Sequence, residues 1–148
     1  MTTLKHILVA ALVAAGLTFA AGCQNVPLDS SGKNIGAFNY GEFTGLLNTT
    51  ATVVAPATHD AIKQLGLVEV AVTDRKFGGT NVPLGSTIVA HDENDLEVTV
   101  TIQETNSRQT ALHIRWGKGG DLQRSQQLYS LVDAATASQQ TTAPRVVR

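Results

Sequence analysis

From residue 38 onward, apolar positions recur either every second residue or at helical spacing, and the switches between these periods mark out the elements. The cleanest period-two stretch is Leu96 to Gln103. Leu96, Val98, Val100 and Ile102 point one way, and Glu97, Thr99, Thr101 and Gln103 the other. Leu112, Ile114 and Trp116 repeat the pattern with His113 and Arg115 on the opposite face. Such alternation predicts strands of an antiparallel sheet with one face buried and one wet. Val68, Val70 and Val72 alternate in the same way, and Thr87 to Ala90 supplies a shorter strand after a loop carrying Gly78, Gly79, Pro83 and Gly85. The runs Asp92 to Asp95 and Asn106 to Arg108 have the composition of hairpin turns. Phe38 to Asn48, with Phe38, Tyr40, Phe43, Leu46 and Leu47, is read as a first strand.

Two segments have helical spacing. Thr49 or Thr50 can cap a helix with apolar Val53, Val54, Ala57, Ala61, Ile62 and Leu65 that stops at Gly66. Pro56 interrupts this segment, so the helix either kinks there or starts there. Asp121 is placed to cap a last helix with Leu122, Leu128, Leu131, Val132 and Ala135 on one stripe. The expected fold class is α+β: a two-layer sandwich of a mainly antiparallel sheet of four to five strands with two helices on one face, in the order β-α-β-β-β-β-α.

The ends have a different character. Met1 to Lys5 carries one positive charge, and Ile7 to Phe19 is apolar, which is the layout of a secretory signal peptide. The apolar run is shorter than the roughly 18 residues a membrane-spanning helix needs. The domain reading is therefore 1–22 signal peptide, 23–37 lipidated cysteine and flexible tether, 38–136 a single α+β domain, and 137–148 a disordered tail. Removing the leader leaves ten basic and twelve acidic side chains, which gives no electrostatic case for nucleic acid. Cys23 is the only cysteine, so no disulfide can form within the chain.

The segment Ala20-Ala21-Gly22-Cys23 resembles the lipobox of bacterial lipoproteins. That resemblance implies cleavage before Cys23 and acylation of its sulfur and freed amine by chains such as palmitate. Two or more chains, at about 0.8 kcal/mol per buried methylene, make a durable membrane anchor where one does not. Gln24 follows the cysteine, and lipoproteins kept in the inner membrane typically have aspartate there, so the resemblance implies the outer membrane, facing the periplasm.

A second resemblance rests on His113-Ile114-Arg115-Trp116-Gly117-Lys118-Gly119-Gly120-Asp121-Leu122-Gln123-Arg124-Ser125, on Gly41-Glu42 and on Ile62-Lys63-Gln64-Leu65-Gly66-Leu67. These segments are similar to a family of small bacterial lipoproteins classed as a domain of unknown function. Trp116, Pro56 and Gln123-Arg124 depart from the family's usual residues. The family supplies no catalytic residue to carry over.

Few residues suggest chemistry. Gly117, Gly119 and Gly120 ahead of a helix could form a nest of backbone donors, with Lys118 and Arg124 adding positive potential for an anion. The spacing is not that of a phosphate-binding loop, and a tight strand-to-helix turn capped by Asp121 is the favoured reading. Arg115 is read either as paired with a carboxylate such as Glu97 or as an exposed contact for a partner. Trp116 continues the buried face of its strand. His91, Asp92, Glu93 and Asp95 lack the regular ligand spacing and glycine bend of a calcium loop, and read as a solvated hairpin. His59-Asp60 is a neighbouring pair whose side chains diverge on a helix. Nothing calls for a metal or cofactor.

The expected function is that of a non-catalytic envelope module, anchored through Cys23, that contacts a protein partner, with Arg115, Lys118 and Arg124 as candidate partner or anion contacts. An alternative is a binder of a small amphiphilic or anionic ligand held between helix and sheet, marked by a cavity near Trp116. A third reading is a weak hydrolase using His113 or His91.

Overall fold

A computed structural model describes residues 24–28, 35–76 and 83–142. Cys23, the leader, and the tail beyond residue 142 lie outside the described residues. Seven strands and two helices follow in the order β1 (Gln24–Pro27), β2 (Ile35–Asn39), β3 (Glu42–Leu47), α1 (Ala51–Gln64), β4 (Val68–Lys76), β5 (Pro83–His91), β6 (Glu97–Asn106), β7 (Gln109–Trp116) and α2 (Leu122–Thr142). The strands form one sheet in the order β1-β2-β3-β7-β6-β5-β4, and every neighbouring pair is antiparallel.

The α+β class therefore holds, with seven strands in place of four to five. Two differences account for this. The segment read as one strand from Phe38 is a hairpin, in which Asn39 pairs with Glu42 across the two-residue turn Tyr40-Gly41. Both turn residues have positive φ, 48° and 79°. That is the backbone of the tight hairpin turn whose twist suits antiparallel strands, normally marked by Asn-Gly or Gly-Gly. An aromatic residue at its first position hides the signal. The second difference is β1, which lies in the stretch read as a flexible tether. Its Val26 is buried opposite Gly36. At the other end α2 runs to Thr142, six residues into the segment read as a disordered tail.

Alternation does the rest. Phe43 and Leu47 of β3, Leu112, Ile114 and Trp116 of β7, Val98, Val100 and Ile102 of β6, and Ile88 and Ala90 of β5 line one face. Val54, Ala57, Ala61 and Ile62 of α1 and Leu128 and Val132 of α2 cover that face. Each fully buried aliphatic side chain contributes about 2 kcal/mol of burial free energy, and this one cluster is the core. The uncovered face carries a row of cross-strand partners, Thr44, His113, Thr101 and Thr87, as a wet face should. Helix α1 connects β3 to the far edge strand β4, and so crosses over the strands that later fill the gap.

Candidate functional site

The end of β7 gathers most of the sequence-predicted site residues. After Trp116 the chain turns through Gly117 and Gly120, both at positive φ, and Gly120 N–H donates to the Trp116 carbonyl at 2.9 Å. This turn sits back to back with the β2–β3 turn. A Cβ on Gly41 would lie 2.6 Å from the Gly119 carbonyl oxygen, and one on Gly120 would overlap the Gly41 carbonyl. Gly41 and Gly120 are thus there for close approach of two backbones. Asp121 caps α2 by accepting from Arg124 N–H at 3.0 Å, and Ser125 Oγ donates to the Asp121 carbonyl.

Arg124, in the first turn of α2, reaches across the Trp116 ring with its guanidinium 5.2 Å from the centroid, and donates to Asp92 Oδ2 at 3.0 Å. Asp92 organises the β5–β6 turn. Its Oδ1 accepts from Asn94 N–H at 2.8 Å and Leu96 N–H at 2.9 Å. The donation from Leu96 is the main reason its carboxyl is held below the usual 3.8, with Asn94 and Arg124 adding to it against the opposing effect of desolvation. Between this turn, the end of α1 and α2 lies a cavity of about 350 Å³ lined by Leu65, Leu67, Asp92, Trp116, Arg124 and Gln127, among others. Trp116 is 5% exposed and its Nε1–H has no hydrogen-bond partner among the described residues.

The three basic candidates do not converge on one site. Arg115 points to the uncovered face, opposite Trp116, and pairs with Glu42 at 3.7 Å, its cross-strand neighbour in β3, in place of Glu97. Glu42 also lies 3.2 Å from His113 Nδ1, which in turn is 3.1 Å from Thr44 Oγ1. Arg124 is shared between Asp92 and Asp121. Lys118 is exposed in the glycine turn and has no ion pair among the described residues. His91 Nδ1 contacts Asp95 at 2.7 Å within the hairpin turn. Among the described residues, no three of His, Cys, Asp and Glu are grouped as a metal site.

Sequence reasoning missed a second region, along α1 and the edge strand β4. His59 Nδ1 is 2.7 Å from Glu69 Oε1, ten residues on and beyond the Gly66 turn. Beside them a cleft of about 380 Å³ opens between α1 and β4–β5, walled by Ala55, Pro56, Val72 and Ile102 with Asp74 and Ser86 among its polar lining. Ser86 Oγ is buried without a hydrogen-bond partner among the described residues. Val68, Val70 and Val72 stand 65%, 55% and 47% exposed on β4, whose outer edge has no partner strand among the described residues. Their period-two alternation was visible in the sequence, but a strand's place at a sheet edge is set by topology and leaves no local mark.

The family described as a protein of unknown function (DUF3568) matches residues 6–135, and the chain belongs to that family. No curated protein matches it. Among the residues quoted for the family resemblance, Gly41 abuts Gly120, Glu42 pairs with Arg115, and Ser125 donates to the Asp121 carbonyl.

Proposed function

We propose that this DUF3568 member is a lipid-anchored protein of the bacterial envelope, held at the outer membrane through Cys23, facing the periplasm, and acting by binding a protein partner without catalysis. The observation that carries this reading is the single cysteine directly behind a short apolar leader and small residues, followed by Gln24. The β4 edge supports a protein partner. Exposed β-branched side chains on a strand whose outer edge has no partner among the described residues, next to an open cleft, suit an extended partner segment that adds to the sheet through main-chain hydrogen bonds. A bulge between Glu69 and Ala71 and another between Arg75 and Lys76 leave Ala71 to Arg75 as the regular stretch for such pairing.

A second reading, a small-ligand site at Trp116, is favoured by the cavity there and the unpartnered indole N–H. Arg124 is already matched by Asp92 and Asp121, so the charge balance suits a neutral polar group with an acceptor atom better than an anion.

Membrane fractionation with in-cell crosslinking tests the main reading. The wild type should sediment with outer membranes and crosslink to a protein through a photoreactive residue at Val72, and Cys23→Ser should become soluble. Cytosolic wild-type protein, or a Cys23→Ser variant that fractionates unchanged, would contradict the reading.

A further inference from the structure

The register of β1 fixes where an anchor enters the sheet. Gln24 stands opposite Phe38, and Cys23 is one peptide unit earlier, about 3.8 Å from Gln24 between Cα atoms. Gln24, the residue that follows the anchor in the chain, is thus paired two positions from the Tyr40-Gly41 turn. Among the described large apolar side chains Tyr40 is the most exposed, at 84%. It also occupies a positive-φ position, φ 48°, that favours asparagine or glycine, so the turn does not account for an aromatic there. Lys118 is carried on the turn packed directly against Gly41 and has no ion pair among the described residues.

We propose that the Tyr40-Gly41 and Gly117–Gly120 turns form a membrane-contact face, with the bilayer surface as its partner; this rests on the reading of Cys23 as the lipid anchor. The phenol ring of Tyr40 sits at the headgroup level, where an amphipathic ring is favoured, and Lys118 reaches the lipid phosphates. The other charges at this end set the tilt. Glu42 pairs with Arg115, and Asp121 shares Arg124 with Asp92. Asp92, Glu93 and Asp95 lie on the β5–β6 turn, which adjoins the Gly117–Gly120 turn, where Gly117 N–H donates to the Glu97 carbonyl at 2.7 Å, on the side away from β2. Contact with phosphates is unfavourable for that acidic turn. The sheet then leans with β1 to β3 toward the bilayer and the β4 edge away from it, open to the periplasm.

The test uses the full, lipidated chain, with its mass checked first, in vesicles of phosphatidylethanolamine and phosphatidylglycerol carrying bromine on their acyl chains. Tyr40→Trp is compared with Arg108→Trp, an exposed turn position at the opposite end of β7, after subtraction of the single native tryptophan. Emission from Tyr40→Trp should shift to the blue and be quenched at least about twofold more than that from Arg108→Trp. In the wild type, amide exchange at residues 39–41 and 117–120 should slow on reconstitution, and Tyr40→Ser with Lys118→Glu should abolish that slowing while the protein stays lipidated. Equal quenching at both positions would overturn the proposal. So would an unquenched Tyr40→Trp in a protein that is lipidated and membrane-bound, and that outcome would leave the anchor reading intact.

Discussion

Gly120 and Gly119 are neighbours in one turn with opposite tolerance for a side chain. Gly120 has φ 72° and abuts the Gly41 carbonyl, whereas a Cβ on Gly119 would meet nothing within 4 Å. Gly120→Ala combines a left-handed backbone with a backbone collision, and is expected to cost about 2 kcal/mol or more. Gly119→Ala should stay within about 0.5 kcal/mol of the wild type. Urea unfolding of the two variants checks this, and equal losses would contradict the back-to-back turns. Tyr129 is another residue with a specific role. Its hydroxyl donates to the Leu46 carbonyl at 2.7 Å, its ring meets Phe43 edge-on, and a Cβ on Gly45 would collide with it. Burial, with the charge of Asp133, pushes its phenol pKa up. Tyr129→Phe should cost about 1 kcal/mol in the same assay, the net worth of one hydrogen bond. The sequence marked these glycines as turn formers. Which of them cannot carry a side chain depends on a contact between segments more than seventy residues apart, and no local pattern records that.

Among the elements, α1 resolves a question the sequence left open. It starts at Ala51 and continues through Pro56. Its end is fully capped: Gly66 at φ 72° lets Gly66 N–H reach the Lys63 carbonyl and Leu67 N–H the Ile62 carbonyl. Its start is weaker, since the Thr50 side chain bonds Thr52 instead of a backbone N–H. Pro56 cannot donate to the Thr52 carbonyl, so Pro56→Ala should stabilise the protein by about 1 kcal/mol or more, after the unfolded chain's gain in freedom is subtracted. A melting temperature that falls would contradict this. The β5–β6 turn carries a pH dependence of known sign. The folded-state pKa of Asp92 lies below its usual 3.8, so its contribution is present above that value and is lost as pH falls through the lower folded value. Amide shifts of Asn94 and Leu96 should move together in that acid window, and Asp92→Asn should flatten them. Strands β6 and β7 and the Asp121 cap were legible because alternation and capping are local. The Tyr40-Gly41 hairpin was not, because its turn chemistry sits behind an aromatic residue.

For the molecule as a whole, the α+β class and helix coverage of one sheet face followed from periodicity, whereas strand order and edges did not. The chain places β1, the strand next to Cys23, at one edge and the valine-rich β4 at the other. With Cys23 as the proposed anchor and β4 as the proposed partner edge, the two lie at opposite edges of the sheet. The resemblance to a lipobox is a linear motif, whereas the pairing of β1 with β2 from Gln24 onward was not legible, since it depends on a partner strand further along the chain. Everything at this scale rests on acylation of Cys23. Intact mass analysis of the mature chain extracted from membranes tests it most directly: the account expects a polypeptide that begins at Cys23 and carries a diacylglyceryl thioether and an amide-linked acyl chain. A mature chain with an unmodified Cys23, or one cleaved elsewhere, would contradict it.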